Sequence, residues 1–175
     1  MYRKGAGGQG SYMIFKDVKE LCDFLDRKRI ENPGLKIITT SGGFDPLHVG
    51  HLRCIQESAS IKDNLSSGSM FVVIANADGF LMNNKGFVFM PEDERLEILH
   101  GLKGVDHVVS WYDGTQTCVG AIEAIEPDIF TKGGDRTSRE NIPEADICDV
   151  VGCEIIFNVG GGKIQSSSWL TEKKQ

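Results

Sequence analysis

Two histidines three residues apart, His48 and His51, close the stretch Gly42-Gly43-Phe44-Asp45-Pro46-Leu47-His48-Val49-Gly50-His51. At this spacing both imidazoles fall near one helical face and reach the same anion. Glycines let backbone amides approach phosphate oxygens, and a helix start adds oriented N–H donors and partial positive charge. The chemistry such a stretch suits is the holding of a polyphosphate. Zinc is the metal alternative, but a third ligand at usable spacing is missing. Cys54 lies only one helical turn on, and there is no His-Glu-x-x-His glutamate. This stretch contains neither a Gly-Lys-Ser/Thr phosphate loop nor a G-x-G-x-x-G dinucleotide turn.

Such a turn needs a strand before it and a helix after it. Leu35 to Thr40, with Ile37-Ile38-Thr39-Thr40, reads as the strand, and Val49 to Ser58 as the helix. Ahead of them, apolar positions Val18, Leu21, Cys22, Phe24 and Leu25 carry helical spacing behind an N-cap at Asp17, stopped by Asn32-Pro33-Gly34. Met70 to Ala75 is a short apolar run, as in a strand buried on both faces. Residues 79–90 read as a long connection, and Pro91 opens a helix with Glu92, Asp93 and Glu94 in its first turn. Strands follow at 105–111, 128–131 and 154–159, with helices at 115–125 and 143–151 and a last one capped by Ser166-Ser167-Ser168. Strand and helix alternating about five times predict an α/β fold: a doubly wound, mostly parallel, five-stranded Rossmann-like sheet. Ligands bind such sheets beyond the carboxyl ends of the strands. The stretches 42–51, 76–86, 132–136 and 160–168 each follow a strand, so they converge on one edge.

The 175 residues fit a single domain over 15–175 behind a flexible tail, 1–14. The first ten residues have no apolar core behind their charges, unlike a secretory signal. A net charge of −6 argues against a general nucleic-acid binder. No apolar run nears the roughly 20 residues a membrane helix needs. Five scattered cysteines without a C-x-x-C pair point to a reducing cytoplasm rather than a disulfide framework.

The stretch Gly42 to His51 resembles the defining G-x-F-D-x-x-H-x-G-H motif of the cytidylyltransferase-like nucleotidyltransferase superfamily. Over roughly residues 15–170 the chain is most similar to the adenylyltransferase domain of the bacterial bifunctional heptose-phosphate kinase/adenylyltransferase. Thr39-Thr40-Ser41-Gly42, Asn76-Ala77-Asp78, Lys85-Gly86, Glu94-Arg95, Val105 to Val109 and Lys132-Gly133-Gly134-Asp135 match in order and spacing. It departs at Ser41, Gly43, Arg136 and Ser166, positions nearer substrate and base recognition than phosphate chemistry.

The resemblance implies an enzyme that joins a nucleoside monophosphate from an NTP to a phosphorylated acceptor and releases pyrophosphate. Catalysis would fall to His48, His51 and Lys85, with Lys85 on a mobile loop. Gly42, Gly43, Phe44, Lys132, Gly133, Gly134, Asp135, Ser166, Ser167 and Ser168 would bind the nucleotide, and Asp78 and Arg95 the acceptor. Asp45 is expected to hold the turn together. No protein metal site is expected; Mg2+ would ride on the NTP phosphates. The implied partners are an NTP, ATP ahead of CTP, and a phosphorylated small molecule such as heptose 1-phosphate; a homodimer is compatible. The kinase half is not in this sequence, so the transfer activity is expected to stand alone. A cytidylyltransferase for glycerol 3-phosphate or a similar phosphoalcohol is the alternative. A non-catalytic nucleotide-binding module is the rival from another class. An aminoacyl-tRNA synthetase is disfavoured by length and by the missing Lys-Met-Ser-Lys-Ser loop.

Overall fold

A computed structural model describes residues 13–65, 68–134 and 136–172. The expected tail lies outside these residues up to position 12. Its last two positions instead begin a strand, β1 (Met13–Phe15). The order continues α1 (Val18–Glu31), β2 (Lys36–Gly42), α2 (Val49–Asp63), β3 (Ser69–Asn76), α3 (Asp78–Lys85), α4 (Glu92–Gly101) and β4 (His107–Trp111). Then come α5 (Val119–Ile125), β5 (Ile129–Gly133), a 3-10 turn at Arg139–Asn141, α6 (Ala145–Val151), β6 (Glu154–Val159) and α7 (Ser167–Glu172).

Among the described residues the sheet has six strands rather than five, in the order β1-β4-β3-β2-β5-β6, and every pairing is parallel. The winding runs outward from β2 in both directions, so the crevice falls between the carboxyl ends of β2 and β5. The expected doubly wound architecture is the one observed. β1 escapes a reading by periodicity because three residues are too few to show a period. It is held as an edge by β4, where Met13 N donates to His107 Nδ1 at 3.3 Å.

Helices cover both faces. Leu21, Phe24 and Leu25 of α1 join Ala121 and Ile122 of α5 and Cys148 of α6 in one apolar cluster. Ile55 and Ala59 of α2 join Leu96 and Leu99 of α4 in the other. The strands between are buried on both sides, which is why β3 reads as one continuous apolar run.

One departure bears on the site. Residues 78–85 form helix α3 where a connection was expected. Glycine and two asparagines give this segment weak helix propensity, but Phe80 and Leu81 are buried, and packing overrides propensity. Buried hydroxyls also join β2, β5 and α2. Thr40 Oγ1 donates to Thr131 O at 3.1 Å, and Thr131 Oγ1 lies 2.8 Å from Ser58 Oγ. These bonds hold the middle of α2 against β5.

Candidate active site

The carboxyl ends of β2, β3 and β5 open on a cleft of about 510 Å³. His48 and His51 stand on its wall at the N-terminus of α2. His48 caps the helix: its Nδ1 accepts from Gly50 N at 3.1 Å, while its own backbone N donates to His51 Nδ1 at 3.4 Å. Each ring therefore spends Nδ1 as an acceptor and carries its proton on Nε2, the remaining donor. The rings stack with centroids 3.8 Å apart, and the Phe44 ring meets His51 edge-on at 5.0 Å. Burial, then the neighbouring His48, lowers the His51 pKa to about 3; burial lowers that of His48 as well. Both are thus neutral donors near pH 7. Gly50 makes this geometry possible, because a Cβ there would sit 2.9 Å from the His48 ring.

The turn before the helix is clamped from below. Asp45 is buried, with its carboxylate accepting from Phe89 N and Met90 N at 2.9 and 2.5 Å and paired with Lys85 at 2.7 Å. Burial would raise its pKa, but the Lys85 ammonium and the two amides more than offset this and hold the carboxyl below its usual range. Asp45 holds the turn together, as expected.

The structure divides the expected site residues. Gly42, Phe44, His48, His51, Lys132, Gly133, Gly134, Ser166 and Ser167 line the cleft. Phe44 does so at positive φ with its ring in the core. Asp135 lies outside the described residues. Gly43 and Ser168 are not on the cleft wall. Gly43 O accepts from Arg95, and Ser168 Oγ lies 3.0 Å from Ser166 Oγ.

Lys85 ends helix α3 rather than riding a loop, and its ammonium bonds to Asp45 O at 2.8 Å instead of facing the cleft. Arg95 is fully buried, so it does not offer itself to an acceptor. Its guanidinium donates to Met90 O, Gly43 O and Asn76 O at 2.9, 2.8 and 2.6 Å and pairs with Asp78 at 2.7 Å. It ties the turn, the end of β3 and Asp78 together. Asp78 lies beside the cleft, not on its wall.

Several wall residues carry no sequence signal of their own. Gln116, Thr117, Cys118 and Glu144 meet in the cleft only because the strand ends bring their loops together. Cys54 and Cys118 also reach it, but burial raises the Cys54 pKa and pushes that of Cys118 up to about 11. Neither is a thiolate at neutral pH, so neither is poised as a covalent nucleophile. Among the described residues no group of three or more His, Cys, Asp and Glu could hold a metal ion.

A parallel sheet with paired neutral imidazoles, a glycine turn and a lysine at its winding reversal has the parts to align phosphates and stabilise charge at phosphorus. Fold and site together define a nucleotidyltransferase. The cytidylyltransferase-like family model matches residues 39–152, and the chain belongs to that family. It is 40% identical over 126 residues, 71% of its length, to the Bifunctional protein HldE of Hyphomonas neptunium. Its identity to the same-named protein of Hahella chejuensis is 34% over 155 residues, 87% of its length. It spans only 24% and 28% of those relatives. Among solved structures, the lipopolysaccharide core biosynthesis protein from Thermoplasma volcanium GSS1 superposes with a TM-score of 0.57 at 26% identity. That match covers 71% of this chain and 95% of the other.

Proposed function

We propose that the chain transfers adenylate from ATP to a sugar 1-phosphate of the heptose type and releases pyrophosphate. The observation that carries this reading is the helix cap at His48, which leaves two neutral Nε2–H donors on one wall of the cleft. Similarity to HldE proteins supports the adenylyl donor and the heptose phosphate. A solved relative named for lipopolysaccharide core biosynthesis supports a sugar acceptor over a phosphoalcohol.

In this mechanism a phosphate oxygen of the acceptor attacks the α-phosphorus in line with the departing pyrophosphate. Charge grows on the α-phosphate and on the leaving oxygen. His48 and His51 donate Nε2–H to those oxygens, at little reorganisation cost because the backbone already fixes both rings. Lys132 and the glycine turns at 42–44 and 133–134 hold the nucleotide, and Ser166 and Ser167 meet its outer phosphates. Lys85 exchanges its Asp45 partner for the attacking phosphate. A magnesium ion carried by the triphosphate would supply charge neutralisation there, while the Asp45 carboxylate stays committed to Lys85 and two amides. A reducing cytoplasm suits the five free thiols.

The test is a pyrophosphate-release screen of ATP, CTP, GTP and UTP against sugar and alcohol phosphates. Release with ATP and a heptose or hexose 1-phosphate is the expected result. Release with CTP and glycerol 3-phosphate would move the assignment to a phosphoalcohol cytidylyltransferase. No release with any pair would leave a binding module.

A further inference from the structure

Glu144 is an acid in a cleft otherwise suited to anions. It is 4% exposed, precedes α6 and stands on the cleft wall. One carboxylate oxygen accepts from Cys118 N at 2.9 Å. The other, Oε2, is buried and has no hydrogen-bond partner among the described residues; the Lys132 ammonium lies 3.6 Å from it, itself donating to Ser41 Oγ at 3.2 Å. A buried acceptor without a donor is costly and is retained only where something else completes it.

The two charges restrict what that can be. A phosphate placed against Oε2 meets a carboxylate. A cationic head group such as an ammonium meets Lys132. A neutral group that donates to Oε2 and accepts from Lys132 satisfies both, and a hydroxyl does this with one atom. We propose that Glu144, paired with Lys132, is the point in the cleft that recognises a sugar hydroxyl. This rests on the reading above, in which both substrates carry a sugar; the hydroxyl belongs to the ribose of the nucleotide or to the acceptor. Glu144 then reads the sugar while the histidines of α2 serve the phosphates.

Glu144→Gln isolates this role. The Cys118 amide needs an oxygen and so fixes which way the carboxamide faces. Its NH2 group then takes the place of Oε2, and an acceptor becomes a donor without loss of the loop contact. Affinities of the full chain are measured by calorimetry in two series. One is ATP with its 2′-deoxy and 3′-deoxy analogues; the other is mannose 1-phosphate with its 2-, 3-, 4- and 6-deoxy analogues. The native protein should lose about 10- to 100-fold in affinity for one deoxy analogue, the scale of a hydrogen bond to a charged group. Glu144→Gln should weaken the parent compound by a similar factor and no longer distinguish that analogue from it. The series in which this occurs assigns the hydroxyl.

Unchanged affinity in the variant overturns the proposal. So does an equal loss for parent and every analogue, which marks a structural effect, and so does the absence of binding in both series. Pyrophosphate release by the native protein is read separately. A protein that discriminates the hydroxyl through Glu144 yet releases no pyrophosphate keeps this proposal and loses the transferase reading. One that releases pyrophosphate with unaltered discrimination in Glu144→Gln does the reverse.

Discussion

His48 and His51 work through what their backbone contacts leave over. With both Nδ1 atoms accepting from the chain, each ring has one donor to offer. Removing the more buried ring should cost the stabilisation of one preorganised donor. His51→Ala is expected to lower turnover by about 100-fold or more with the fold intact. Turnover near that of the native protein, with an unchanged circular dichroism spectrum, would remove His51 from the mechanism. Lys85 poses a different question, since its ammonium is bonded to Asp45. If it also meets the attacking phosphate, Lys85→Ala should lower turnover and raise the acceptor KM together. A loss of stability alone, of about 1–3 kcal/mol from the unpaired Asp45, would leave Lys85 as an anchor of the turn.

At the scale of elements, the buried Arg95 joins α4 to the glycine turn and to the end of β3. Arg95→Ala leaves three carbonyls and Asp78 without their donor. A destabilisation of about 3 kcal/mol or more is expected by urea titration. An effect below about 1 kcal/mol would mean that the turn holds itself. The sequence places Arg95 in an acidic helix beside Glu94, where a ligand contact or a surface position were the two natural readings. Neither anticipates a guanidinium with no exposure, because burial is a property of the packed sheet and not of the helix pattern. The same limit hid α3. Its Asn83-Asn84-Lys85-Gly86 end reads as a loop, and only the pocket that takes Phe80 and Leu81 makes it helical. Glycine turns are legible because their geometry is local; helix boundaries set by tertiary contact are not.

For the molecule as a whole, the buried His107 and the partly buried His51 link the fold to pH. Burial lowers the His107 pKa from 6.5 to about 4 and that of His51, with help from His48, from 6.5 to about 3. The unfolded chain takes up these protons as pH falls below about 6.5, and the folded chain does not until about 4 and 3. Stability should therefore be flat above pH 6.5. It should fall by at most about 1.4 kcal/mol per pH unit for each histidine on the way down to pH 4. Urea titrations at pH 7.5, 6 and 5 measure this, and His107→Gln should flatten the slope; an unchanged slope would exclude His107 as a source. The alternation of β-branched runs and helical spacing, and the turn from Gly42 to His51, were determined by the sequence alone. Chain-local sterics and period write both directly into residue order. Tertiary structure decided which residues share the cleft. Glu144, Cys118 and Asn76 are far apart along the chain, and Lys85 and Arg95 turn to Asp45 and Asp78 rather than to the wall. Those choices depend on the winding of six parallel strands, which no short segment encodes.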